Sequence, residues 1–308
     1  MRVMTESLDA ARISGLLASL APVADGPATA AATADAKGAP LTIAVVAETG
    51  STNADLRERA ATLTGPLLLA AERQTAGRGR AGRSWLAEPG DSLCFSLAWR
   101  FAGPLHRLTG LSLAVGVALA ECLRAPRLDG KPGTPVMLKW PNDLLVDGAK
   151  LGGILIETAG ASVPDGVWAV IGVGLNVRTN AQRDASIDRA VAALAPADSS
   201  IDRNALLAQL AASLARALAR FEREGLAPFV ARWDTLHAHA GQTVSIVEQG
   251  RTLHQGLALG IDGSGCLQLE TRAGIVKVAA GDVSLRAGAS TATTSMGSSS
   301  DEAPHALR

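Results

Sequence analysis

Between residues 41 and 177, short apolar runs follow one another with a helical pattern at only two places, and no other feature constrains the fold as much. Strands are predicted over 41–47, 67–72, 92–100, 136–140, 144–146, 153–157 and 168–177, and helices over 52–63 and 107–123. Parallel neighbours need a crossover of about a dozen residues or more. Most successive strands here have no intervening helix to provide one. The prediction is therefore a mixed, largely antiparallel sheet carrying helices, an α/β fold of the α+β type.

The chain then changes character. Residues 202–224 and 227–237 read as two further helices. Beyond Gly241 the period falls to two: Val244 and Ile246, then Leu257, Leu259 and Ile261, Leu267 and Leu269, Val276 and Val278, Val283 and Leu285. Asp262-Gly263 and Ala273-Gly274 supply turns, and the whole predicts a small β-barrel. At the front, a helical pattern over 8–20 precedes an Ala/Pro/Gly-rich stretch with the composition of a linker. The expected organisation is a leader of helix and linker over 1–40, lying outside the core, then a main domain over 41–238. A β-domain over 239–286 and a disordered Ser/Thr/Ala-rich tail over 287–308 complete it.

Composition narrows the function. Lys plus Arg equal Asp plus Glu at 29 each, whereas a protein holding nucleic acid by phosphate contacts carries a basic excess. Cys94, Cys122 and Cys266 show no CxxC spacing, which suits a reducing compartment and buried, inert thiols. The start lacks a cationic stretch followed by an apolar core, so no signal peptide is predicted. The apolar stretch 108–120 is shorter than the ~20 residues a bilayer span takes. A soluble, cytoplasmic protein without membrane contact is expected.

Four segments carry chemical potential. In GRGRAGR (77–83), glycines let the backbone approach a ligand while Arg78, Arg80 and Arg83 bring forks that match carboxylate or phosphate oxygens. Its Gly-x-Gly-x-x-Gly spacing fails as a dinucleotide fingerprint, because a strand follows rather than a helix and no acidic residue lies about 20 positions on. A solvated basic loop is the plainer alternative. KWPND (139–143) places Lys139 beside Trp140 and Pro141, in a rigid turn able to hold an ammonium toward a displaced phosphate, or simply an exposed lysine. ETGSTN (48–53) joins a strand to a helix; Ser51, Thr52 or Asn53 caps that helix or meets a polar ligand. GVGLN (172–176) ends a strand at Asn176, whose amide offers both a donor and an acceptor. Lys150 leads into Gly152-Gly153, a pair that marks close approach by a ligand or another backbone. Trp85 reads as a base-stacking ring or half-buried core. His237 and His239 read as a domain junction or, lacking a third ligand at suitable spacing, an incomplete metal site.

In order, ETGSTN (48–53), ERQTAGRGRAGRSW (72–85), LKWPND (138–143), KLGGILIE (150–157) and IGVGLN (171–176) resemble the biotin–protein ligase family. The resemblance spans residues 41–286, and the last of these look like that family's SH3-like domain. It implies that biotin's carboxylate attacks the α-phosphate of ATP to give biotinyl-AMP, after which a carrier lysine displaces AMP. It further implies that Ser51, Thr52, Asn53 and Gln74 bind the ureido end of biotin, with backbone groups near Gly153 and Leu155. Arg78, Gly79 and Arg80 would line the adenylate and biotin carboxylate, and Lys139 would contact the reacting carboxylate and phosphate. Arg83, Trp85, Asn142 and Asn176 fall on the nucleotide side. Lys139, Arg78 and Arg80 are the implied catalytic residues.

ATP and biotin are the implied substrates, with Mg²⁺ neutralising the triphosphate and no metal site expected on the protein. The implied partner is a biotin carboxyl carrier protein of a carboxylase. Ala81 stands where related loops often carry a further arginine. Residues 1–40 are too short and alanine-rich for a helix-turn-helix, so no specific DNA binding is expected. A lipoate–protein ligase, similar in fold, lacks the GRGRxGR and KWPND pair. A ligand-sensing regulator and an inactive scaffold are disfavoured by neutral charge and by the intact Arg78, Arg80 and Lys139.

Overall fold

The computed structural model describes residues 6–20, 39–163, 166–187, 190–279 and 283–287. Its main sheet uses β1 (Thr42–Thr49), β2 (Leu67–Gln74), β3 (Ser92–Phe101), β4 (Met137–Lys139), β5 (Asp143–Val146), β6 (Ala149–Val163) and β7 (Gly166–Asn176). They lie in the order β1-β2-β3-β7-β6-β5-β4. Only β1 and β2 run parallel, and α2 (Thr52–Arg59) is the crossover between them. Every other pairing is antiparallel, as the scarcity of crossover helices predicts.

Strand alternation sorts side chains onto two faces. Leu93, Phe95, Leu97 and Trp99 of β3, with Ala169, Ile171, Val173 and Leu175 of β7, join the main core with α3 (Leu111–Arg124) and α5 (Arg203–Glu224), between which the chain forms the short α4 (Ala181–Ala185). On the other face, Leu56 of α2 packs with Ala98, Trp168 and Val170. Ser96, Gly172 and Gly174 share that second face and floor a cavity beside the start of α2.

Three helices differ from expectation, the first because 52–63 is α2 only to Arg59 and then a 3-10 turn, Ala60–Thr62. The segment 107–123 begins as a 3-10 turn, Leu105–Leu108, and α3 starts only at Leu111. Gly110 breaks it: its φ is 81°, and a Cβ there would press on Leu226. The segment 227–237 likewise divides into a 3-10 turn (Ala227–Phe229) carrying Pro228 and α6 (Val230–Leu236). Turn and helix together, Leu105–Arg124, are long and apolar enough to cross a bilayer. The helical part, however, buries Leu111, Leu113, Val115, Val117 and Leu119 in the protein core.

The C-terminal strands β8 (Thr243–Glu248), β9 (Arg251–Ile261), β10 (Leu267–Thr271), β11 (Gly274–Val278) and β12 (Val283–Ala287) form one antiparallel sheet, ordered β11-β10-β9-β8-β12. Val244, Ile246, Leu267, Leu269 and Leu285 extend the main core. Trp140 Nε1 donates to the Gly265 carbonyl at 3.2 Å, tying the two sheets together.

The leader corrects the sequence reading, for its helix is not outside the core. α1 (Ala10–Ser19), capped by Asp9, buries Ile13 and Leu17 in the main cluster. Leu8 N–H donates to Glu72 Oε1 at 2.6 Å, and Arg203 grips the same carboxylate through bonds of 2.8 and 3.0 Å. Ile13, Leu16, Leu17 and Leu20 form a helical stripe that needs a partner, and α5 provides it. The linker expected over 21–38 and the tail expected over 288–308 lie outside the described residues.

Candidate active site

The cavity encloses about 520 Å³ on the open face of the main sheet. Its deep end is built where the parallel pair stops. Ser51 holds the N-cap position of α2, but its hydroxyl makes no capping bond, so it is not committed to the helix. Ser51, Thr52 and Asn53 are buried and line the cavity. Gln74, at the end of β2, turns its Oε1 onto the Thr52 N–H at 2.9 Å. Ser96 Oγ meets Thr52 Oγ1 at 2.7 Å and donates to Asn53 Oδ1 at 2.6 Å. Gly172 is required here, since a Cβ would overlap the Asn53 amide.

The glycine–arginine segment forms a small hairpin over the other end. Trp85 N–H bonds to the Gly77 carbonyl at 2.9 Å, Gly79 N–H to the Arg83 carbonyl at 2.6 Å, and Arg78 pairs with Ser84. Its tip is a 3-10 turn in which Ala81 takes φ 52°, a left-handed conformation unusual for a residue with a Cβ. The arginines do not simply repel one another. Arg78 Nη2 lies 3.4 Å from Glu157 Oε2, and Arg80 Nη1 donates to Asn142 Oδ1 at 3.1 Å. Asn142 is itself fixed, donating to the Ile154 carbonyl at 2.7 Å.

Lys139 ends β4 and lines the same cavity as Arg78, Gly79, Arg80, Arg83 and Trp85, as do Gly153 and Leu155 of β6. The structure adds Lys150, which the sequence reading mentioned without assigning a role. The two-residue turn Asp147-Gly148, with φ of 49° and 77°, folds β5 onto β6 and brings Lys150 to Asp143, with which it pairs. Lys150 Nζ also stands 5.8 Å from the Trp85 ring centroid. Positive charge therefore converges from three elements. Trp85 packs so tightly on β7 that a Cβ at Gly174 would overlap its indole.

Asn176 departs from the expected geometry. It does not line the main cavity but a smaller hollow beyond Trp85, with Leu86, Ile187 and Val191. Its Nδ2 already donates to the carbonyls of Ala192 (3.0 Å) and Lys150 (3.3 Å), leaving only the oxygen to meet a ligand. Leu285 of the C-terminal sheet also reaches the main cavity, a contribution no local pattern signals.

His237 and His239 sit at the domain junction. Ala238 N–H bonds to the Leu138 carbonyl at 2.8 Å, and the His237 ring lies 4.6 Å from that of Trp233. Burial pushes His237 down to about 4, with the neighbouring His239 adding to it. His239 is lowered by burial and by the charge of Lys139. Burial raises the Cys94 thiol to about 12 and the Cys122 thiol to about 11, away from the thiolate, with Cys94 buried and Cys122 half-buried. Among the described residues no group of three His, Cys, Asp or Glu exists to hold a metal. Asp143, the one carboxylate side chain lining the cavity, is paired with Lys150. A magnesium ion would enter this cavity with a nucleotide's phosphates, beside the Asp143–Lys150 pair.

Residues 43–176 match the biotin/lipoate A/B protein ligase family, and residues 239–286 match the biotin protein ligase C-terminal domain. The chain is 37% identical over 245 residues to the bifunctional ligase/repressor BirA of Escherichia coli, covering 79% of this chain and 74% of that protein. It is 38% identical over 243 residues to the biotin–[acetyl-CoA-carboxylase] ligase of Mycobacterium tuberculosis, covering 78% and 87%. The solved biotin protein ligase from Aquifex aeolicus, in complex with biotin and ATP, superposes with a TM-score of 0.65 at 25% identity. That match covers 80% of this chain and 99% of the other.

Proposed function

The chain belongs to the biotin/lipoate A/B protein ligase family, and from that premise we infer how its own residues carry out the ligation of biotin to a carrier protein. It is an enzyme with two half-reactions. A carboxylate oxygen of biotin attacks the α-phosphorus of ATP, the bond to the β-phosphate oxygen breaks, and pyrophosphate leaves. The amine of a carrier lysine then attacks the carbonyl of biotinyl-AMP, AMP departs with the bonding pair, and the lysine loses a proton.

One observation carries the assignment of roles: a single cavity gathers neutral hydrogen-bonding groups from the start of α2 and the end of β2, and cations from the hairpin, β4 and β6. Ser51, Thr52, Asn53 and Gln74 suit a ureido ring, which offers two N–H donors and a carbonyl acceptor. Arg78, Arg80, Lys139 and Lys150 suit the meeting of a carboxylate with a phosphate, where fixed positive charge stabilises the transition state. Lys139 and Lys150 enter from opposite strands of the β4–β5–β6 unit and bracket that point. Trp85 divides the main cavity from the smaller hollow, placing an aromatic face where an adenine ring fits. Arg83, Asn142 and the Asn176 oxygen complete the nucleotide side. The 77–85 hairpin covers the anhydride and keeps water from it.

The carrier is a biotin carboxyl carrier protein of a carboxylase, and the mouth under the hairpin is where its lysine enters. We place the enzyme in the cytoplasm, in keeping with three unpaired cysteines. The helix α1 (Ala10–Ser19) is fastened to α5, with Asp9 N–H donating to Asn204 Oδ1 at 2.8 Å. The test is a timed reaction with ATP, Mg²⁺ and labelled biotin. Biotinyl-AMP should accumulate without carrier and be consumed when a carrier domain is added, with label on one lysine. A folded protein forming neither product would refute the assignment.

A further inference from the structure

The hydrogen bonds lining the deep end form one chain, and its direction is set by a residue that does not line the cavity. Ser96 donates its only proton to Asn53 Oδ1 at 2.6 Å. Its 2.7 Å contact with Thr52 therefore has Thr52 as the donor, and that one hydroxyl proton is shared between Ser96 Oγ and the more distant Gln74 Oε1 at 3.1 Å. Gln74 Oε1 accepts from the Thr52 N–H, which turns Gln74 Nε2 toward donation. This sequence of donors holds only while Asn53 keeps its nitrogen on the outer side. There Asn53 Nδ2 donates to Glu157 Oε2 at 2.9 Å and to the Leu155 carbonyl at 3.3 Å. A carboxylate accepts and cannot donate, so Glu157 forbids the flipped amide. The same carboxylate takes Arg57 of α2 at 2.9 Å and Arg78 of the hairpin at 3.4 Å.

We propose that Glu157 is a positioning residue of the ligase, fixing the donor and acceptor pattern offered to the ureido ring and tying it to Arg78 of the hairpin. The proposal rests on the biotin reading of this cavity. In Glu157→Gln the side-chain amide donates or accepts, Asn53 turns over, and the chain through Ser96 and Thr52 loses its direction. One mispaired buried group at the ring costs enough to raise the KM for biotin about tenfold or more. The KM for biotin should rise several-fold more than the KM for ATP, because Arg80, Lys139 and Lys150 keep their contacts and only Arg78 loses the Glu157 charge.

The experiment measures both KM values, kcat and a thermal melt for wild type, Glu157→Gln and Ser96→Ala, the last cutting the chain at its middle link. Wild type must first show biotin-dependent pyrophosphate exchange; its failure would count against the function and not against Glu157. With that control in hand, a selective rise in the biotin KM supports the proposal. An unchanged biotin KM overturns it, and so does a fall in all parameters that merely follows lost stability. Should Glu157→Gln not fold, Ser96→Ala decides by the same criterion.

Discussion

Lys139 and Lys150 show what single residues contribute. Each lines the cavity from a different strand, and the reaction joins two anions, so neither charge substitutes fully for the other. Lys139→Ala should slow formation of biotinyl-AMP by about 10²–10³, the usual effect of losing one transition-state stabiliser. Single-turnover rapid quench beside a thermal melt checks this; near-wild-type rates in a folded variant would remove Lys139 from the mechanism. His237 makes a separate point about pH. Its ordinary value is about 6.5, and burial lowers it to about 4 in the folded chain. Between those values the unfolded chain binds the proton and the folded chain does not, so stability should fall as pH drops through that window. Melts between pH 7 and pH 4.5, roughly spanning that window, should show a smaller loss for His237→Phe than for wild type. Identical pH profiles would mean that His237 is not the buried neutral base described. At this scale the sequence was only half legible. It could not tell whether Ser51 caps a helix or faces a ligand, because both uses take the same residue in the same place. In the fold Ser51 holds the cap position without a capping bond and lines the cavity.

Elements were more legible than residues. The apolar runs 92–100 and 168–177 were legible as strands, which β3 and β7 bear out, but not which face each would bury, since both faces are covered in the fold. Boundaries failed where backbone conformation decides, as at Gly110, whose left-handed φ delays α3 past the start of its apolar pattern. Lys150 was missed for a related reason. Its neighbourhood to Asp143 and Trp85 depends on how the Asp147-Gly148 turn folds β5 onto β6, not on local spacing. The fit of the hairpin on β7 yields a prediction. A Cβ at Gly174 would occupy the space of the Trp85 indole, so Gly174→Ala should displace that ring and weaken ATP more than biotin. Intrinsic fluorescence and separate titrations of the two substrates test it. Unaltered ATP affinity would show that Trp85 does not form the nucleotide wall.

Across the whole molecule the leader matters most for stability. Leu8, Ile13 and Leu17 are buried, and each large buried apolar side chain stabilises by about 1.5–3 kcal/mol. Deleting residues 1–20 would also leave the Glu72–Arg203 pair without its cover, two positions from Gln74. The melting temperature should fall by roughly 2–4 °C for each kcal/mol lost, and calorimetry on the truncated chain would show it. An unchanged melt would restore the leader to the periphery, where its composition alone had put it. The central claim, that this cavity selects biotin, meets its most direct test in ATP–pyrophosphate exchange with biotin, lipoate and octanoate compared on one sample. Ser51, Thr52 and Gln74 would be left mispaired by an acid without the ureido ring, at about 1–3 kcal/mol for each group. Exchange should therefore favour biotin by about two orders of magnitude or more. Comparable exchange with lipoate would contradict the biotin assignment.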